Sequence, residues 1–146
     1  MIFSRAVKKG DWAVKPIPSS YETFRFEYAK GFSDNDIKKL RKGHIPLEQE
    51  DKHFIYAEND TIQVISSWSG IPKYTIFLTK EAGTKVNVYA YCDMELMANK
   101  YAPHEEIQSA VEKQFEHFVN YYLGTDYEDY SKRYCETRKH KIRKGF

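Results

Sequence analysis

Between His53 and Cys92 the chain carries four strand-like runs with almost nothing between them, and this spacing limits the available folds more than any other feature. The runs are His53–Ala57, Thr61–Trp68, Lys73–Thr79 and Lys85–Cys92. The links are Glu58-Asn59-Asp60, Ser69-Gly70-Ile71-Pro72 and Lys80-Glu81-Ala82-Gly83-Thr84. Asn, Asp and Gly tolerate the backbone conformations that tight turns require. Links this short cannot house a parallel crossover, so neighbouring runs pair antiparallel.

Within the runs, apolar residues alternate. Ile62 and Val64, then Tyr74 and Ile76, then Val86, Val88, Ala90 and Cys92, fall on one side. A fifth run, Tyr21–Tyr28, sets Phe24, Phe26 and Tyr28 against Thr23, Arg25 and Glu27. Period two of this kind marks half-buried strands.

Two helices complete the outline. Ser33 opens the first: its hydroxyl can accept from the free amides of the first turn, and Asp34 and Asp36 complement the helix dipole. Ile37 and Leu40 form its apolar side, and Gly43 occupies the position past its end. The second, opened by Pro103, spaces Ile107, Val111, Phe115, Phe118, Val119 and Tyr122 by three and four residues, and Gly124 stops it. A last helix over 126–140 is also expected, whereas residues 1–20 show no period and read as an extended lead-in.

The expected fold is α+β: an antiparallel sheet of about five strands, one long helix from the C-terminal half packed on one face, and short flanking helices. At 146 residues the chain has the size of a single domain, 1–146, with residues 137–146 a basic tail and a candidate for disorder.

If one sheet face meets the long helix, then Ile65, Phe77, Tyr89 and Tyr91 point the other way. That face is too apolar to be fully wetted. Either residues 1–20 or the C-terminal helix cover it, or it is a contact surface for a partner or a second copy. The Ser67-Trp68-Ser69 corner, followed by Lys73 and Tyr74, is the other candidate binding feature, although a Trp-Ser-Gly corner also serves as a plain turn.

Most chemical signatures are missing. His44, His53, His104, His117 and His140 form no zinc spacing, and no metal or cofactor is expected. There is no nucleophile elbow and no phosphate-binding glycine loop. Cys92 and Cys135 form no paired motif and read as reduced thiols, which with the lack of a signal peptide or an 18-residue apolar run points to the cytoplasm and away from membranes. Net charge is only +2, but it is uneven: Arg138, Lys139, Lys141, Arg143 and Lys144 cluster near the end, downstream of Tyr130 and Tyr134. Clustered cations neutralise phosphates and tyrosine rings stack on bases, so nucleic-acid or nucleotide binding is an alternative function.

Residues 50–78, EDKHFIYAENDTIQVISSWSGIPKYTIFL, resemble a small bacterial domain of unassigned function with the pattern EDKWFxYYEDGxLYFHRSWTGxCIYxVxF. The likeness extends over about 37–123 and includes the lead-in Leu40-Arg41-Lys42-Gly43-His44-Ile45-Pro46. That domain occurs alone or beside ADP-ribosylglycohydrolase and macrodomain-type proteins. The resemblance therefore implies a neighbourhood of nucleotide or ADP-ribose biology, with a small enzyme acting on a phosphate-bearing substrate as a third reading. It supplies no catalytic residue, and the family's His-Arg pair falls here on Ile65 and Ser66. On these grounds a non-enzymatic binding or accessory module acting through the aromatic sheet face is the leading expectation.

Overall fold

A computed structural model describes residues 6–46, 51–95 and 101–124. The chain divides into two compact units, 1–112 and 113–146. The first contains the whole sheet: β1 Tyr21–Tyr28, β2 His53–Glu58, β3 Thr61–Ser66, β4 Pro72–Phe77 and β5 Val86–Asp93, with α1 Asp34–Lys42 between β1 and β2. A second helix, α2, runs His104–Gly124 across the division. Among the described residues no helix is long and apolar enough to cross a membrane.

All pairings are antiparallel, in the order β1-β5-β4-β3-β2. The tight links make the β2–β5 meander, and Asn59 takes the left-handed conformation (φ 56°) in the β2–β3 turn. β3 stops at Ser66, two residues short of the expected Trp68, because Ser67–Ser69 already turn the chain. Gly70 sits there at φ 74°, the positive angle that glycine adopts without strain.

The register makes one face from Phe24, Val88, Ala90, Ile76, Tyr74, Ile62, Val64 and Ile55, all buried except for traces. Ile107 and Val111 of α2 are also buried, and the first turns of this helix lie along β1: the His104 ring stacks on Phe24 at 5.3 Å, and Gln108 Nε2 donates to the Arg25 carbonyl at 3.1 Å. The helix thus takes up a carbonyl on the sheet's β1 edge, the kind of group through which edges aggregate. At the other edge, His44 and Ile55 exchange backbone hydrogen bonds of 2.8 and 2.9 Å. In the second unit, Phe115, Phe118, Val119 and Tyr122 are buried and Phe118 stacks on Tyr122.

α1 forms where the capping residues place it. Ser33 Oγ accepts from the Asp36 amide at 3.1 Å, and Asp36 Oδ2 accepts from the Ser33 amide at 3.4 Å, a reciprocal cap. Gly43 ends the helix at φ 81°, where a Cβ would come within 2.4 Å of the Ile55 carbonyl oxygen. Pro103 falls one residue outside α2, and its carbonyl accepts from Glu106 and Ile107. In the lead-in, the described residues contain one 3-10 turn, Lys9–Asp11, and no strand. The helix expected over 126–140 lies outside the described residues.

Candidate functional site

The sheet's second face is divided into two halves. On β2 and β3, Phe54, Tyr56 and Ile65 are buried with Val7, and Trp12, Val14 and Ile45 pack against them. Trp12 stacks on Phe54 at 6.2 Å, and its indole Nε1 donates to the Ser67 carbonyl at 3.2 Å. The lead-in therefore covers this half. On β4 and β5 the aromatic residues of this face stay half-buried, and β1 adds the exposed Arg25 beside them. Phe77 meets Tyr89 edge to face at 4.7 Å, and the Arg25 guanidinium lies 4.7 Å from the Tyr89 ring centroid. The register explains this group, since Thr75 and Arg25 both stand opposite Tyr89. Tyr91, one pleat along, shares a 2.8 Å hydrogen bond with Thr75 Oγ1, which donates in turn to Gln63 Oε1 at 2.9 Å. Beside the rings is an open pocket of about 460 Å³ lined by Arg25, Glu27, Phe77, Asn87 and Tyr89.

Three of the sequence-derived candidates, Phe77, Tyr89 and Tyr91, thus share one face. Arg25 belongs with them and is the residue that sequence alone does not single out. Its signal is its place among the polar residues of β1, opposite a tyrosine once β1 pairs with β5. Among the described residues the Arg25 guanidinium makes no hydrogen bond or ion pair. Its Cζ lies over the ring, and none of its N–H groups is engaged by an acceptor among the described residues. Glu27, its neighbour on this face, is held by Lys85 at 3.2 Å.

The remaining candidates are placed elsewhere. Ser67 is a fastener: Oγ donates to the Asp51 carbonyl at 2.8 Å, and its amide donates to the Lys52 carbonyl at 2.9 Å. Ser69 Oγ accepts from the Ile71 amide and shapes the turn. Trp68, at the tip, is 67% exposed. Tyr74 is buried on the opposite face, where burial first, and then Cys92, push its hydroxyl up to about 12. Lys73 belongs to that side too. β3 and β4 slip register between Val64 and Ile65, so that Val64 faces Tyr74 while Ile65 faces Pro72, and Lys73 is the extra residue. Its Nζ reaches His53 Nε2 at 3.5 Å. Tyr130, Tyr134, Arg138, Lys139, Lys141, Arg143 and Lys144 lie outside the described residues.

Close to this end of the sheet is a buried polar contact, His44 Nε2 to Asp51 Oδ2 at 2.5 Å. It ties the second residue past α1 to the approach to β2. No group of three or more His, Cys, Asp or Glu side chains suited to a metal occurs among the described residues. No family model, curated protein or solved structure matches the chain.

Proposed function

We propose that this protein is a non-enzymatic binding module that docks an acidic segment of a protein partner on the β4–β5–β1 half of its sheet. The observation that carries this reading is the Arg25 guanidinium carbon over the Tyr89 ring, with no hydrogen bond or ion pair to Arg25 among the described residues. A stacked guanidinium gives up little further freedom when its N–H edge pairs with a carboxylate in a two-point contact. Tyr, Phe and Arg together are the residue types that anchor protein interfaces. The adjoining pocket is open and shallow, which suits a side chain of the partner better than an enclosed small molecule.

Charge favours a peptide over a nucleic acid on this surface. Arg25 is the one cation there without a salt bridge among the described residues, since Lys85 is engaged by Glu27. One unpaired cation is too few for a run of phosphates. The cytoplasmic setting forms part of the same proposal and rests on sequence features alone.

Panning a phage-displayed random peptide library on the immobilised protein, with counter-selection on Arg25→Gln and Tyr89→Ala, tests the reading. Enrichment of peptides that place Asp or Glu beside an apolar residue, and that fail to bind both variants, supports it. Peptides that bind wild type and variants equally refute it. Sedimentation across a concentration series tells whether a second copy occupies the same face.

A further inference from the structure

The other end of interest lies across the sheet. His53 opens β2, Lys73 is the extra residue of the β3–β4 slip, and Cys92 is next to last in β5. All three are half-buried. Slips of this kind re-aim a side chain, and here Lys73 Nζ arrives within 3.5 Å of His53 Nε2. The amine touches His53, and Lys52 and the free thiol Cys92 act on it electrostatically. Asp51 and His44 act on His53 from beyond it, and Glu22 acts on Cys92. Among the described residues no carboxylate pairs with Lys73.

Lysine amines become nucleophiles where desolvation, or a second cation nearby, disfavours the ammonium form. Both conditions act here: burial, and then Lys52, lower Lys73 from its ordinary value. Burial, then the Lys73 charge, lowers His53 to about 4, so its imidazole is neutral at pH 7, and in the tautomer that carries its proton on Nδ1 it accepts from the amine through Nε2. That contact steers the amine without adding charge.

We propose that Lys73 is a reactive amine site that forms an imine with a small carbonyl compound bearing an anionic group, with Lys52 attracting the anion and His53 orienting the amine. The free amine adds its lone pair to the carbonyl carbon, and the carbonyl π pair moves to oxygen, which takes a proton. The carbinolamine then expels its hydroxyl as water while nitrogen gives up its second proton. One C=N bond replaces one C=O bond, and no oxidant or reductant takes part.

The test is competitive labelling of the whole protein with limiting glyoxylate, trapped by cyanoborohydride and mapped by peptide mass spectrometry, with the exposed Lys38 as internal reference. At pH 7 Lys73 is labelled several-fold faster than Lys38, and the excess disappears above about pH 10.5, where ordinary lysines are also free amines. Lys73→Arg abolishes the fast site. Lys52→Gln slows glyoxylate labelling at Lys73 more than labelling by the uncharged aldehyde propanal. Labelling of Lys73 no faster than Lys38 at pH 7 would overturn the amine assignment, and equal slowing of both aldehydes by Lys52→Gln would overturn the anionic part.

Discussion

The two halves of the sheet's second face are built from the same kinds of residue and have opposite fates. Phe54 and Tyr56 on one half are buried, and Phe77 and Tyr89 on the other are half exposed. Strand composition does not separate them. The chain before β1 does: among the described residues it packs Val7, Trp12 and Val14 over β2 and β3. A ring beneath such a cover contributes chiefly to stability, whereas a ring beyond it contributes area for another molecule.

Substitutions at matched aromatic positions probe that division most directly. Phe54→Ala opens a cavity under Trp12 and Tyr56 and costs about 3–5 kcal/mol of unfolding free energy in a denaturant titration. A loss under 1 kcal/mol, near the noise for surface sites, would mean that the lead-in does not hold the cover in solution.

Acidification probes the apolar face at the His53 end. With its folded value near 4 and an ordinary value of 6.5, His53 binds its proton less readily folded than unfolded. Its neutral form is therefore fully compatible with the fold above about pH 6.5, and stability declines as pH falls towards 4. The single-site contribution is about 3 kcal/mol. His53→Gln should flatten that part of the stability–pH curve, and an unchanged slope would remove His53 as its source.

Trp12→Ala removes the stack on Phe54 and the bond to the Ser67 carbonyl, for about 2 kcal/mol. It should also raise hydrogen exchange in β2 and leave exchange in β5 unchanged. The smallest stability effect is expected at Tyr89→Ala, about 1 kcal/mol or less. The same change abolishes selective peptide capture, so stability and binding part company at this position. If Tyr89→Ala destabilised as much as Phe54→Ala, the two halves would not differ in kind.

Most of the sheet is legible in the sequence because alternation and turn chemistry are local. β1 is readable to the residue as Tyr21–Tyr28, and α1 between Ser33 and Gly43, since caps and period two report their own positions. The strand ends near Trp68 and Thr79 are less so, because a hydroxyl-rich turn and a β-branched strand end look alike in composition. The site is only partly legible. Phe77, Tyr89 and Tyr91 follow from parity, but Arg25 requires knowing that β1 pairs with β5. Lys73 counts on the polar side of β4 if alternation is unbroken, and a one-residue slip carries it to the other face. Nothing in composition announces a slip, just as nothing in residues 44–51 announces that His44 and Asp51 meet.

The outermost strand carries a kinetic consequence. β2 to β5 can zip together through links of a few residues, but β1 must find β5 across the whole meander, with Tyr28 opposite Val86 and Tyr21 opposite Asp93. Closing so long a loop costs entropy before any contact repays it. β1 should accordingly join late. Changes at Phe24 would then speed unfolding far more than they slow refolding, and Arg25, which β1 supplies to the aromatic face, would be in place only once the last strand has docked.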